Sequence, residues 1–449
     1  MDPIAYTIAL GAAGAAEDSY WILALTHDYG YYDNNDSITV DANDNVYVTL
    51  TPSRTEHMSM SVGHGFPTVM KLDKDGSIQW ARQLYQNSAV SKDTKTGEAG
   101  VDSSGNVYLS CGLDQNTFHY AKWNSSGSNS FIKATTGSSH AHHVGMCDSN
   151  GNYICAGEIQ TSYVEACVKK IASNGNITWS RGLRTTSPGR RSRCHGMDLD
   201  SSDNIYMTGR TRIDTGYEVM YIAKLSSSGT TTWQRTIQES GDNNDAFGYD
   251  VAVDGSGNTY AVGRFTSTDG VVMKLNSGGI FNWVKKISEG PYCMAGVVAD
   301  SAGNVYTLGK DSSTGDIILL KFNTNGVLQF ARKFTHSSNF VDPRDRQNPI
   351  NIDSDGNLYI KLQEANNYYM YILKLPNDGS LTGTYSFSGV SMGSITYATT
   401  TVTVSSATTA TDTPTSSEFV NNAISVSSAT PEMVEGAFNP YQSSLNTIS

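Results

Sequence analysis

The sequence has few charged residues and no long apolar segment. Only 16% of its 449 residues are Asp, Glu, Lys or Arg, and the formal net charge is -12. Because an acidic chain repels phosphate groups, we predict neither nucleic acid nor a membrane surface as a partner. No apolar run reaches the roughly 18 residues that a membrane-spanning helix needs. The chain starts with Asp2 rather than a basic region, so no export signal is predicted.

Paired cysteines and several common catalytic motifs are also missing. The six cysteines, at positions 111, 147, 155, 167, 194 and 293, show no paired spacing. Most fall inside apolar strand patterns, which predicts buried thiols in a reducing cytoplasm. The sequence contains no H-E-x-x-H, phosphate-loop or C-x-x-C motif. We therefore predict a protein that is not an enzyme and has no cofactor, although scattered loop residues can also form an active site.

A short turn motif, Asp, two variable residues, Gly or Asp, then Asn, is present seven times. Its copies begin at Asp41, Asp102, Asp148, Asp200, Asp254, Asp300 and Asp353, with spacings of 61, 46, 52, 54, 46 and 53 residues. This period is typical of one four-stranded propeller blade per repeat. The Asp can bond the backbone two residues on, and Gly or Asn tolerates positive φ. Calcium is disfavoured because Gly is fourth in this motif and sixth in an EF-type loop.

Each repeat continues with the signals of three further strands. A Tyr follows the Asp by six residues in six copies, and a Lys before an apolar residue follows in all seven. Nine residues after the first six lysines there is a large ring: Trp80, Phe131, Trp179, Trp233, Trp283 and Phe330. Such rings are predicted to fill the space between neighbouring twisted blades as structural residues.

The seventh repeat has no ring at this position, because Gly383 lies nine residues after Lys374. Trp21 lies twenty residues before Asp41, in register with the other fourth-strand rings. We therefore predict that an N-terminal strand at about 19–25 completes the seventh blade and removes the exposed sheet edges. The predicted fold is an all-β, seven-bladed β-propeller at 17–384, preceded by an N-terminal arm at 1–16.

The C-terminal segment differs in composition from the repeats. No Lys or Arg follows Lys374, and residues 385–449 are dominated by Ser, Thr, Ala and Val. The β-branched content of 394–407 predicts a strand, whereas 409–419 has the composition of a linker. We predict that 385–449 is an assembly segment, and that both termini are held by the ring or by neighbouring copies.

The clearest candidate for a metal site is a pair of segments on adjacent blades. His142 and His143 lie in one segment and Cys194 and His195 in the other; His143 and His195 both precede their Asp by five residues. They are predicted to face each other at the channel mouth. A zinc or copper site needs three or four converging ligands, and the next two blades have Tyr and Ala at that height. Ordinary pore lining is therefore favoured over a metal site.

Two loops are further candidates for contacts. Arg190, Arg191 and Arg193 lie close together and could bind an anionic sugar or a partner carboxylate, or could simply be solvated. The longest insertion, 51–68, predicts either a contact loop or a mobile surface loop. Its contact candidates are His57, Met58, Met60 and His64.

The repeat unit, as in VDSSGNVYLSCG followed by AKWNSSG, resembles the SBBP and NHL-like propeller repeats of bacterial surface and phage proteins over about 17–383. The Tyr- and Gly-rich ring with its Ser/Thr-rich β tail also resembles structural proteins of marine bacteriophages, particularly tail or fibre components. This resemblance implies a non-enzymatic virion protein, assembled in the host cytoplasm, that offers a platform for assembly or host attachment. The implied partners are other virion proteins, further copies of the chain, and a host-surface glycan or protein.

Two alternatives stay open at this point. A bacterial surface propeller that binds carbohydrate or protein would ordinarily carry an export signal. A propeller hydrolase or lyase should have clustered carboxylates or three metal ligands at one face, which the sequence does not indicate.

Overall fold

The computed structural model describes most of the ring and the strands of both termini. The described residues are 5–10, 20–26, 37–51, 67–86, 95–114, 117–136, 139–160, 164–185, 191–212, 217–239, 245–265, 269–288, 291–311, 313–341, 348–365, 369–386, 394–399, 403–406, 409–412, 417–421, 433–437 and 443–447. These residues form β-strands and turns, with no helix among them. None of the described residues therefore belongs to a helix that could cross a membrane.

The strands follow the seven repeats in chain order. The first two are β1 Ala5–Leu10 and β2 Tyr20–Thr26. Blade 1 contains β3 Ile38–Val40, β4 Val46–Leu50, β5 Thr68–Leu72 and β6 Ile78–Gln86. Blade 2 contains β7 Lys95–Val101, β8 Val107–Asp114, β9 Thr117–Trp123 and β10 Asn129–Thr136. Blade 3 contains β11 Ser139–Cys147, β12 Tyr153–Gln160, β13 Val164–Ile171 and β14 Ile177–Thr185.

The second half of the ring repeats this order. Blade 4 contains β15 Ser192–Leu199, β16 Ile205–Arg212, β17 Glu218–Leu225 and β18 Thr231–Glu239. Blade 5 contains β19 Phe247–Val253, β20 Thr259–Arg264, β21 Gly270–Leu275 and β22 Phe281–Ser288. Blade 6 contains β23 Pro291–Ala299, β24 Val305–Asp311, β25 Ile317–Phe322 and β26 Leu328–Thr335. Blade 7 contains β27 Ile350–Ile352, β28 Leu358–Gln363 and β29 Tyr369–Leu375.

The seventh blade takes its fourth strand from the start of the chain. β2 pairs antiparallel with β29, and Trp21 lies opposite Lys374. The seven-bladed propeller closed by an N-terminal strand is therefore confirmed. β1 then pairs with β2 and extends this blade outward.

The remaining strands belong to the C-terminal segment: β30 Gly383–Ser386, β31 Ser394–Thr399, β32 Thr403–Ser406, β33 Thr409–Asp412, β34 Ser417–Asn421, β35 Met433–Ala437 and β36 Ser443–Thr447. β30 spans the predicted boundary at 384 and pairs with β31. The next strands pair with the fourth strands of blades 6, 5, 4, 3 and 1 in that order, and β36 pairs with β1 on blade 7. The segment thus runs backward around the ring.

This path corrects two sequence-based expectations. Residues 409–419 were expected to be a linker, but they contribute β33 and the start of β34. Residues 394–407 were expected to form one strand, yet β31 and β32 pair with different blades. The unpaired edge of each blade offers backbone donors and acceptors that accept a strand of almost any composition.

The hydrophobic core lies between the blades rather than in one central mass. One cluster, for example, joins Trp21 and Leu23 of blade 7 to Val46 and Met70 of blade 1. Because neighbouring blades cover both faces of each sheet, strands such as β21 are buried at every position. This burial explains why the blade strands lack a strict alternation of apolar and polar residues.

The repeated Asp closes its turn with hydrogen bonds. The Asp254 carboxylate accepts bonds from the backbone of Ser256 and Asn258, from the Asn258 amide and from the Tyr260 hydroxyl, at 2.8 to 2.9 Å. Burial alone would raise the pKa of Asp254, but these hydrogen bonds outweigh it and lower the pKa. The motif is therefore explained by turn chemistry without calcium.

The fourth-strand rings hold adjacent blades together. Trp80 packs on Gly127 of blade 2, and its indole Nε1 donates to the Ser125 carbonyl at 3.1 Å. Arg82 lies over the Trp80 ring and donates Nε to the Gly127 carbonyl at 2.6 Å. Rings pack on the corresponding glycine at Trp21, Trp179, Trp233, Trp283 and Phe330 as well.

The second blade is a variant of this arrangement. Phe131 contacts Tyr108 and Tyr120, whereas Gly175 of blade 3 faces the Lys133 side chain instead of the ring. Trp21 and Trp80 are at least nine-tenths buried; Phe131, Trp179, Trp283 and Phe330 are half-buried and pack against the core clusters.

Candidate functional site

The two faces of the ring are built differently. One face, the turn face, carries the Asp turns that join the first and second strands and the Gly turns that join the third and fourth strands. The opposite face, the loop face, carries connections of unequal length: residues 51–67 join β4 to β5, but only 115–116 join β8 to β9. Variable loops on a rigid scaffold are where binding residues usually lie.

A group of arginines occupies the loop face of blades 4 and 5. Arg193 and Arg210 are cross-strand partners in blade 4, and Arg212 lies two residues further along β16 on the same side of the sheet. Arg193 pairs with Glu158 of blade 3, and Arg210 pairs with Glu218, each at 2.8 Å. The two ion pairs fix half-buried side chains at this edge of the ring.

Phe247 lies between a cation of blade 4 and a cation of blade 5. The Arg210 Cζ is 4.6 Å from the Phe247 ring centroid, and the Arg264 Cζ is 4.4 Å from it. Arg264 reaches Phe247 as its cross-strand partner. Guanidinium groups at these distances are attracted by the face of an aromatic ring. The blade 4–5 junction thus brings two positive charges to a single ring.

His195 of blade 4 also contacts blade 5 at this junction. Its Nδ1 lies 2.8 Å from the Gly248 carbonyl of blade 5, and its ring stacks on Tyr249 at 6.0 Å between centroids. Cys194 points away into the buried cluster that contains Val144. Among the residues with described side chains, no three His, Cys, Asp or Glu groups come together as metal ligands.

The other candidate residues are only partly described. The backbones of His142 and His143 lie in β11, but their side chains are outside the described residues. Arg191 is exposed at the start of blade 4, and Arg190 is outside the described residues. His57, Met58, Met60 and His64 are likewise outside them.

Three buried carboxylates line the inner strands of the ring. Glu98 accepts hydrogen bonds from Asn348 and Thr39, while Asp198 and Asp250 accept the backbone N–H groups of Val253 and Val297 in the next blade. Burial raises the pKa of Glu98 and of Asp198 to about 7, and the pKa of Asp250 well above its ordinary value.

These carboxylates join neighbouring inner strands. The Val253 and Val297 bonds measure 2.7 and 2.9 Å, and the Asn348 bond measures 2.9 Å. Asp198 and Asp250 thus supply acceptors to the backbone of the next blade, whereas Glu98 binds side chains of blade 1 and of the segment before blade 7. Each buried acid therefore has a partner on another part of the ring.

Sequence reasoning missed Arg210, Arg212, Arg264 and Phe247. One available signal was the residue after the second-strand glycine, which is Arg only in blades 4 and 5, at positions 210 and 264. Tyr217 was also missed; it lies next to Glu218 at the loop face and is 42% exposed, one of the few large exposed apolar side chains among the described residues.

Comparisons with known proteins identify the fold and no family. No protein-family model matches the chain, and no curated protein matches it. Similar solved structures include the polysaccharide lyase Uly1, with 11% identity over 84% of this chain and 97% of that one at a TM-score of 0.51. They also include the Penicillium chrysogenum α-L-arabinanase, with 10% identity over 84% and 98% at 0.42, and a Dyadobacter fermentans protein of unknown function, with 10% identity over 79% and 98% at 0.43. At these identities the likeness extends to the propeller fold alone.

Proposed function

We propose that this protein is a non-enzymatic structural protein of a bacteriophage virion, in which the ring is a platform for assembly or for attachment to a host surface. The proposal rests on the differences among three surfaces of the ring, which are its outer edges, its turn face and its loop face. Strands of the same chain cover the outer edges of six blades, counting β1 and β36 on blade 7. The turn face consists of repeated turns whose polar groups bond to one another. The loop face is left as the surface that differs from blade to blade.

The tail or fibre setting rests on the resemblance of the whole chain to phage structural proteins. In this setting the partners are other virion proteins, further copies of the chain, and a glycan or protein of the host surface. The protein would be assembled in the host cytoplasm. The cysteines are compatible with that compartment, since all six are free thiols, five of them buried.

The decisive experiment locates the protein. Virus particles are purified on a density gradient, digested and analysed by mass spectrometry, and intact particles are labelled with an antibody against the ring. We expect a constant number of copies per particle and labelling of the tail or fibre. Finding the chain on a bacterial envelope and not on particles would reject the virion role and favour the surface-binding propeller.

A second measurement addresses catalysis. The purified protein is incubated with neutral and acidic polysaccharides, and the solution is assayed for new reducing ends and for unsaturated products. We expect neither product, because the buried carboxylates are occupied by bonds between blades. Turnover that depends on His195 or Tyr249 would overturn the non-enzymatic proposal in favour of a hydrolase or lyase.

A further inference from the structure

We propose that the loop face between blades 4 and 5 binds an oligosaccharide that carries carboxylate or sulfate groups. This inference rests on the proposed attachment function and names the ligand class for it. The binding residues are Arg212 and Arg264, with Arg210, Phe247 and Tyr217 around them.

The distribution of arginines is the first observation. Among the described residues, four arginines belong to the contacts between fourth strands and the next blade: Arg82, Arg181, Arg235 and Arg332. All other described arginines lie on blades 3 to 5: Arg184, Arg191, Arg193, Arg210, Arg212 and Arg264. In a chain with a net charge of -12, this concentration makes one sector of the ring attractive to anions.

The pairing of these arginines is the second observation. Glu158 and Glu218 neutralise Arg193 and Arg210. Arg212 lies opposite Glu218 in the sheet, but Glu218 is already bonded to Arg210. Within the described part of the chain, Arg212 and Arg264 form no ion pair, and this distinguishes them from Arg193 and Arg210. Because a half-buried guanidinium has lost part of its hydration, an incoming anion would restore its hydrogen bonds.

The acidic groups nearby limit the charge of the ligand. Glu158, Glu165, Glu218 and Asp245 belong to the same sector, and Asp245 accepts the backbone N–H of Glu218 at 2.8 Å. The same sector contains these four carboxylates and the five arginines from Arg191 to Arg264 whose side chains are described. The local excess of positive charge is therefore small. A ligand with spaced acidic groups fits better than a dense polyphosphate, which the acidic chain would repel.

An exposed aromatic ring supplies the contact surface that a sugar requires. Tyr217 is exposed beside the Arg210–Glu218 pair. Phe247 and Tyr249 are more than nine-tenths buried and pack edge to face at 6.4 Å, so they support the arginines rather than contact the sugar. An aromatic ring with a polar handle offers apolar area and a hydrogen-bond partner at the same time. Guanidinium groups orient acidic substituents in two-point bonds, which gives selectivity over a neutral sugar.

The test measures binding by isothermal titration calorimetry at a fixed salt concentration. The probes are oligogalacturonate, which carries carboxylates, dextran sulfate oligomers, which carry sulfates, and neutral dextran oligomers of equal length. We expect one or both acidic probes to bind and neutral dextran not to bind. The double variant Arg212→Gln/Arg264→Gln should lower the affinity about tenfold or more, since each charged hydrogen bond contributes on that scale.

Three further variants identify the source of any loss. Lys74→Gln removes one positive charge from an exposed side chain on the turn face and should leave binding unchanged. Arg264→Lys keeps the charge but not the fork of donors, and should give an intermediate affinity. Tyr217→Ala should weaken binding of the same probe. Circular dichroism melting of each variant separates lost binding from lost folding.

The inference is overturned if neither acidic probe binds, if neutral dextran or a single-stranded oligonucleotide binds equally well, or if the double variant and Lys74→Gln behave alike. Particle location separates it from the proposed function. If the protein binds an acidic sugar but is absent from particles, the virion role is rejected and the binding site is kept. If it is found on particles but binds no acidic sugar, the virion role is kept and the binding site is rejected.

Discussion

The arginines of the fourth strands and those of the loop face have the same side chain and different surroundings. Arg82 lies over Trp80 and donates to the Gly127 carbonyl, and the same bond recurs at Arg181, Arg235 and Arg332. Arg212 occurs in one blade and the position of Arg264 is arginine in only two, and neither side chain has such an acceptor among the described residues. In this ring, repetition therefore marks the residues that hold blades together, and departure from the repeat marks the candidates for recognition.

The largest effect is expected for the fourth-strand rings, which we place among the residues that hold the blades together. Trp21→Ala should lower the free energy of unfolding by about 3–5 kcal/mol, because it removes a fully buried ring from the junction that closes the propeller. Thermal or denaturant unfolding followed by circular dichroism measures the change. Trp21→Phe keeps a ring near Gly76 but loses the 3.0 Å bond to the Lys74 carbonyl and part of the buried indole, so it should cost an intermediate amount of about 2 kcal/mol. Equal stability of all three proteins would contradict the closure.

Substitution of the glycine beneath a fourth-strand ring tests the contact between that ring and the next blade. Gly127 has a φ of +79°, and a Cβ there would lie 2.9 Å from Trp80. Gly127→Ala should therefore destabilise the protein by about 2 kcal/mol through backbone strain and overpacking. Gly151→Ala is the matched control, because Gly151 has a φ of +72° and a Cβ there would come no closer than 3.5 Å to another atom. A control as damaging as Gly127→Ala would show that the loss does not arise from the ring contact.

The buried carboxylate of Glu98 on an inner strand should make the stability of the protein depend on pH. Burial raises the pKa of Glu98 from an ordinary value of 4.5 to about 7, so its contribution to stability is fully present below pH 4.5 and is lost as the pH rises through about 7. Glu98→Gln mimics the protonated acid. It should match the wild type at pH 4 and exceed its stability at pH 8 by roughly 1–3 kcal/mol.

Melting curves of both proteins between pH 4 and 9 measure this difference. Asp254 is not expected to contribute in this window, because its pKa is lowered and its effect appears only in more acidic solution. An identical pH dependence of the two proteins would mean that Glu98 is ionised in the folded ring without cost.

The smallest effect on stability is expected on the loop face. Arg212→Gln/Arg264→Gln should lower the free energy of unfolding by about 1 kcal/mol or less, because the only contact with a core residue that it removes is the one between Arg264 and the Phe247 ring. Trp21→Ala should change mainly the melting temperature, whereas the double arginine variant should change mainly the binding of an acidic sugar. A large loss of stability would place these two arginines among the structural residues instead.

The ring itself could be predicted from the sequence because each blade repeats local signals at fixed offsets. The position of Trp21 twenty residues before Asp41 was sufficient to assign the closing strand, since the other fourth-strand rings precede the next Asp by 17 to 23 residues. The strand order around the ring followed from the chain order, and the structure confirms it.

The C-terminal path and the arginine group could not be predicted in the same way. Strands such as β33 have no apolar pattern of their own, and their positions are set by the blade edges with which they pair. Arg193, Arg212 and Arg264 come from three different strands, and only the packing of blade 4 against blade 5 brings them to one sector. Contacts between distant segments leave no local signal in a single sequence.

The closing pair of strands also has a consequence for biosynthesis. Trp21 leaves the ribosome early, whereas its partner Lys374 is translated only after six blades exist. Until then only β1 can pair with β2, and the edge of β2 that meets β29 remains free. The loop that the β2–β29 pairing closes includes nearly the whole ring, which is a slow step in folding. The nascent chain therefore completes its circle only near the end of translation, and a chaperone that shields the early strand would raise the yield of intact rings.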